Sequence, residues 1–284
     1  MGWQYPMNQW ATYATNLGTV EDKAARFVET QLGKWFDRYW GKATVKDARI
    51  FAINLVRMAY DYYGPAASLL AVQELVAVLG AEGVDTSAFD LLEKVDPSDA
   101  EYIKDEVDKI VRYQAGKLKR DDVAGFVTQV TKAARQLTHR AANRTVLKNG
   151  LINEGQTRFA RILTGLDNCT FCVMLASRGF EYASEQSASL FGHNHRNCDC
   201  IVVAGPKDAE SIEGFDHQEL YDLWRDLEEL DADESLTSEQ KKARRIDMTD
   251  RVHPGKSLAA SYAAISISDM TKAEKRRALA DLKR

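Results

Sequence analysis

Cys169-Thr-Phe-Cys172, followed by His193-Asn-His195-Arg-Asn-Cys198-Asp-Cys200, contains all four cysteines of this 284-residue chain and two of its five histidines. Two thiols separated by two residues reach one metal ion from a single turn. The second cluster can close a tetrahedron around that ion. Structural zinc requires this, because Zn²⁺ takes four soft or borderline ligands and leaves no position open. Cysteines serving only as core filler have no reason to gather in one window.

Six side chains compete for four positions. Cys169, Cys172, Cys198 and Cys200 give a doubly charged thiolate site that needs hydrogen-bond donors around it. Replacing one cysteine by His195, three residues before Cys198, leaves less charge to bury. His193 is either a solvated loop residue or a partner behind a ligand. The expected metal set is therefore Cys169, Cys172, His195, Cys198 and Cys200, holding one structural zinc per chain. Two other readings stand beside it: free thiols behaving as small hydrophobes, or two disulfides. The opening Met1-Gly-Trp-Gln-Tyr-Pro6 has neither the charged nor the apolar region of a signal peptide. A reducing cytosol is therefore expected, which weighs against disulfides. No run of 18 apolar residues occurs, so no membrane span is expected.

With 45% hydrophobic and 28% charged residues the composition is that of a soluble globular protein, and only five prolines favours long helices. The net charge of −4 is unevenly spread. Residues 112–161 carry eleven Lys/Arg against three acids, and 207–235 twelve acids against two bases. Residues 271–284 carry six bases against two acids. Such blocks suit surfaces for different partners, or are simply solvated helix faces.

The expected fold is mainly α in three parts. Residues 1–150 form a helical domain with an aromatic N-terminal arm. Residues 151–206 form a small α+β Cys/His module, and 207–284 an acidic-then-basic helical tail. The first sixteen residues, with Trp3, Tyr5, Trp10 and Tyr13, read as an irregular arm docking on the protein's own body or on a neighbour. Thr19 with Asp22 and Thr44 with Asp47 resemble helix N-caps. Gly64-Pro65 is expected to break the second helix, Asp96-Pro97 to start another, and a further helix runs from near Asp121 to Gly150. Arg140, Arg144 and Lys148 share one face of it. In the Cys/His module, strands are expected at 159–164, 180–182 and 200–204. A helix carries the first cysteine pair, capped by Asp167 or Asn168, and a short helix starts at Ser184. A module this small holds little core, which is where a metal contributes most. Beyond it, Leu220, Leu223, Trp224, Leu227 and Leu230 make an amphipathic stripe. Thr237-x-x-Gln240 and Thr271-x-x-Glu274 are capping boxes.

No phosphate-binding Gly-rich loop, nucleophile elbow or His-Glu-x-x-His helix is present. The upstream His-x-Glu of a zinc deaminase is missing. Three adjacent residues His193-Asn194-His195 do not make the nuclease motif of that spelling, and a closed four-ligand site leaves no room for catalytic water. No enzymatic activity is expected.

One longer pattern is informative. Arg161-x-Leu163-Thr-Gly165-x-x-x-Cys169-x-x-Cys172-x-x-x-Ala176-x-Arg178-Gly179-x-x-Tyr182, then His195-Arg-Asn-Cys198-Asp-Cys200, resembles the phage Mu protein F-like family. These are minor capsid, or head morphogenesis, proteins of tailed bacteriophages, and the similarity is to versions from phages of actinobacteria in particular. It covers roughly residues 120–205. The resemblance implies a low-copy structural virion protein, made in the host cytoplasm and placed at the portal or inner capsid surface. There it would help head assembly or DNA delivery. The implied partners are the portal protein, the major capsid protein, or both, with packaged DNA as a further one and no membrane. The competing reading is a cytosolic zinc-stapled nucleic-acid-binding protein using residues 112–161. That region lacks the interleaved aromatics of a single-strand platform and any recognisable reading helix.

Overall fold

The computed structural model describes residues 2–153, 155–164, 168–183 and 200–252. Among them the chain is mainly helical. Helices α1 (Met7–Tyr39), α2 (Val45–Ala81), α3 (Leu92–Val95), α4 (Pro97–Leu118) and α5 (Val123–Gly150) precede α6 (Thr170–Ala176), α7 (His217–Ala232) and α8 (Ser238–Val252). Four short strands, β1 (Trp3–Tyr5), β2 (Thr157–Ile162), β3 (Ile201–Pro206) and β4 (Ala209–Ile212), form two ribbons. β1 pairs parallel with β4, and β2 antiparallel with β3.

Local capping sets several boundaries where the sequence places them. Thr44 and Asp47 form a reciprocal capping box for α2. Asp96 accepts the Asp99 amide at the head of α4, and Asp122 the Gly125 amide at the head of α5. Thr237 and Gln240 exchange backbone–side-chain bonds at the head of α8. Each cap satisfies amides that the first helical turn leaves without partners.

Three expectations need correction. Thr19 caps nothing: it lies inside α1, where its hydroxyl donates to the Thr15 carbonyl at 3.0 Å. The helix has already begun at Met7 behind Pro6, which offers no side-chain cap, so the usual start signal is absent. Second, α2 runs unbroken through Gly64-Pro65. Proline there forfeits one helical hydrogen bond, a cost of about 3 kcal/mol. Burial of Ala67, Ala71, Leu75, Val78 and Leu79 beyond it outweighs that cost. Third, the segment expected as a strand at 180–182 makes only a single bridge, Tyr182 with Phe159.

Two apolar cores run along the long helices. One joins α4 to the C-terminal part of α1 and the N-terminal halves of α2 and α5, around Phe36, Val56, Val107 and Phe126. The other joins the C-terminal halves of α2 and α5 to the N-terminal arm, the β2–β3 ribbon, α6 and α7. Residues 151–206 thus share their core with residues on both sides. Gly150 makes this junction close: a Cβ there would lie 2.6 Å from the Phe159 ring. The stripe Leu220, Leu223, Leu227 and Leu230 is buried, with Trp224 partly buried against the same core. By length and composition alone α2 is apolar enough to cross a membrane, but 44% of its most apolar window is buried in the protein.

The aromatic arm is not irregular as expected but consists of β1 and the first turns of α1, and it docks on the protein's own body. Trp3 and Tyr5 pack on Phe180, and Trp10 on Phe215. Glu213 accepts the Met7 amide at 2.8 Å, while the Glu213 carbonyl accepts the Trp10 indole N–H at 3.3 Å. Beneath the arm, Tyr5 and Gln9 donate to the buried Glu74 of α2. Burial dominates and pushes the Glu74 carboxyl up to about 7, against the opposing effect of these two donors. A carboxyl whose pKa is raised on folding stabilises the fold fully below its unfolded value, and that contribution is lost as pH rises through 7. Glu74→Gln, which keeps an acceptor for Tyr5 without the charge, should therefore gain stability relative to wild type between about pH 5 and pH 8. The gain should be on the order of 3 kcal/mol or less, read by urea unfolding. An unchanged difference at both pH values would show that Glu74 is not titrating in that window.

Candidate metal centre

The first cysteine pair sits at the head of α6. Cys169 is its N-cap, and the Cys169 sulfur accepts the Cys172 amide at 3.4 Å. The expected cap at Asp167 or Asn168 thus falls one residue later, on a ligand candidate itself. The turn after α6 closes at Gly179, whose φ of +57° suits glycine. Here a Cβ would also meet the His217 ring at 2.2 Å.

Cys200 arrives from the other direction, immediately before β3. The β2–β3 register sets Ile162 against Ile201 and Arg161 against Val202, which puts Arg161 and Cys200 diagonally across one face of the ribbon. The Arg161 Nη1 donates to the Cys200 sulfur at 2.8 Å, and that sulfur lies 3.3 Å from the sulfur of Cys172. Such a separation is far longer than a disulfide bond of about 2.05 Å. Two thiolates on one tetrahedral zinc, each about 2.3 Å from the metal, stand about 3.8 Å apart, so these sulfurs would open by roughly half an ångström to share one. Cys172, Cys200 and Arg161 are all buried.

Of the five expected ligands, then, Cys172 and Cys200 come together and Cys169 stands at the head of the same turn. His195 and Cys198 lie outside the described residues, as do His193 and the short helix expected at Ser184. Among the described residues no three His, Cys, Asp or Glu side chains close into one metal-binding group.

Behind Cys200 lies a polar chain that its sequence neighbourhood does not reveal. Asn143 of α5 accepts the Val202 amide at 2.9 Å and donates to the Cys200 carbonyl at 3.3 Å. Its side chain thus serves the backbone of the strand as a neighbouring strand would. One turn earlier, His139 places Nε2 3.0 Å from the same carbonyl and Nδ1 2.7 Å from the Glu21 carboxylate of α1. Nδ1 faces a carboxylate, while Nε2 lies 3.0 Å from the Asn143 amide nitrogen as well as from the carbonyl, so the role of Nε2 depends on the protonation of the ring. Burial alone would lower its pKa, but Glu21 outweighs burial and raises it to about 9. All three side chains are buried. The only trace of this chain in the sequence is the pair of polar residues His139 and Asn143, four apart on the apolar side of α5.

Glu21→Gln should cost roughly 3 kcal/mol at neutral pH, because it leaves a buried cation without its counter-charge. The wild-type contribution is full below the unfolded histidine pKa near 6.5 and is lost as pH rises through about 9. The penalty of the substitution should therefore shrink between pH 7 and pH 10 in urea unfolding. A penalty constant with pH would mean that the ring is neutral throughout.

No curated protein and no solved structure matches the chain. A family model described as VG15 protein matches residues 6–227, which takes in the N-terminal arm, both cores, the cysteines and most of α7. The match spans most of the chain, so the protein belongs to the VG15 family, a viral gene protein family that marks it as phage-encoded.

Proposed function

We propose that this phage protein is a minor structural component of the virion, a minor capsid or head morphogenesis protein acting at the portal or inner capsid surface. Its cysteine cluster is a structural zinc staple. The observation that carries the reading is the buried meeting of Cys172, Cys200 and Arg161. These residues belong to the pattern that resembles the phage Mu protein F-like family. The donors suit zinc: two buried sulfurs side by side, a third at the head of the same turn, and a buried guanidinium to offset thiolate charge. Cys169, Cys172 and Cys200 would supply three ligands, and His195 or Cys198 the fourth. Bound there, the ion would supply cross-linking and no reaction chemistry.

The basic region offers little support for the nucleic-acid reading. Arg140 pairs with Glu106 at 2.8 Å, Lys148 with Asp96 at 3.0 Å, Arg144 with Asp99 and Arg135 with Asp22. Those cations clamp α5 to α4 and α1. Charges already neutralised within the fold contribute little to phosphate binding.

Two measurements test the proposal separately. Mass spectrometry of purified virions should find the protein at a small fraction of the major capsid protein's abundance; its absence from virions removes the structural role. Elemental analysis of protein purified under reducing conditions should find about one zinc per chain. Less than half an equivalent of any metal removes the staple but leaves the virion role standing. Cys172→Ser should lower metal content and amide-exchange protection in β2, β3 and α6 more than in α4.

A further inference from the structure

Cations that no acid clamps gather at one end of the long helices. The turn between α1 and α2 meets the turn between α4 and α5 there. The Trp40 indole N–H donates to the Asp121 carboxylate at 3.0 Å, and Phe36 packs on Phe126 beneath. Residues 34–49 and 117–122 carry eight Lys/Arg against four acids, in a chain of net charge −4. Three of those acids are engaged locally: Asp47 closes the α2 capping box, Asp122 caps α5 and meets Lys117 at 3.2 Å, and Asp121 holds Trp40. Lys34, Arg38, Lys42, Lys46, Lys119 and Arg120 are all exposed and stand in no ion pair among the described residues. Lys46 lies in the first turn of α2, where the helix dipole disfavours a cation, so helix stability does not account for it.

We propose that this end of the molecule docks on the phosphate backbone of a nucleic-acid duplex, without regard to base sequence. Four helix ends packed about 9 Å apart spread the cations over roughly 20 Å, enough to reach phosphates on both sides of a major groove about 12 Å wide. Four of the six are lysines, a residue depleted from protein–protein interfaces and common at phosphates. The aromatic side chains beside them are already used. Trp35 stacks on Phe51, Trp40 is held by Asp121 and Phe36, and the Arg38 guanidinium lies over the Tyr39 ring. Ile50 is the one exposed large aliphatic side chain in these two segments. The end therefore has no apolar centre for a protein partner, no wedge for a membrane and no open ring to stack on unpaired bases. The acids of α7 do not cancel its field. The leucines of α7 join the core around the C-terminal half of α2, roughly 30 Å along that helix, several times the screening length of about 8 Å. This inference depends on neither the zinc staple nor the virion role.

Fluorescence anisotropy of a labelled duplex of about 30 base pairs, titrated with the full chain from about 50 to 300 mM salt, tests it. Binding should weaken steeply with salt and be equal for unrelated sequences. Lys42→Gln with Lys46→Gln, both at exposed sites, should keep the thermal midpoint of wild type. The pair should weaken binding about tenfold at about 100 mM salt and reduce the salt slope by about two. Lys23→Gln with Lys132→Gln makes the same change of net charge at exposed sites farther along α1 and α5, and should alter binding less than about twofold. Residues 271–284 are also basic, so binding affected equally by the two pairs, or by neither, overturns the assignment. So does a failure to bind the duplex at the lowest salt. Self-association without DNA that Lys42→Gln with Lys46→Gln abolishes would instead give this end to the acids of α7 in a second copy. Binding to phosphatidylserine vesicles in preference to the duplex would give it to a membrane.

Discussion

The carbonyl of Cys200 is held by His139 and Asn143 of α5, and the sulfur of the same residue by Arg161 of β2 and beside Cys172 of α6. Glu21 of α1 completes the set through His139. Four elements, separated by up to 179 residues of chain, thus reach one residue. A buried polar group costs free energy unless it is paired, and a buried charge costs far more. Glu21, His139, Asn143 and Arg161 would each be costly alone; together they leave few arrangements of α1, α5 and the ribbon that satisfy them all. Apolar packing around them is far less selective, since many helix rotations bury similar area. The knot therefore acts on the uniqueness of the packing more than on its total energy.

Charge in the rest of the protein follows the same division. The basic run along α5 and the acids of α4 look in sequence like separate surfaces, yet in the fold they are the two sides of one contact. Arg140 and Lys148 pair with Glu106 and Asp96 at sites where the side chains are mostly covered. Ion pairs that are partly screened from water keep more of their attraction than exposed ones. Net charge by segment therefore overstated how much of this chain faces partners.

What could be read from the sequence was local. Thr44, Asp96, Asp122 and Thr237 cap helices through atoms three residues away, and those starts were legible. The leucine stripe of α7 and the strand on either side of the cysteine cluster were legible as periodicity. What escaped depends on distant chain. The β1–β4 ribbon joins strands of three and four residues some 200 positions apart, too short to show a pattern. The Glu21–His139 pair spans 118 positions. At Gly64-Pro65 a local signal was correct about intrinsic preference and wrong about outcome, because tertiary burial on both sides of the proline holds the helix together. At the cysteines, spacing alone brought out Cys172 and Cys200 as neighbours, but not Arg161's role, which arises only once the ribbon fixes the diagonal between them.

α2 connects these levels. Its N-terminal half belongs to one core and its C-terminal half to the other, so the buried side of the helix rotates along its length. A helix that serves two cores must be apolar over more of its circumference than an ordinary surface helix, which carries a single stripe. Some of that apolar surface is then left outside. Polar residues could have covered it. Instead the outer positions are methionine, tyrosine, leucine and valine at regular spacing, with the one exposed acid held by a lysine of α4. Such a pattern is not required by either core. The same helix that ties the interior together therefore also leaves an apolar seam exposed among the described residues. On its buried side, Glu74 of this helix accepts from Tyr5 and so helps hold the N-terminal arm.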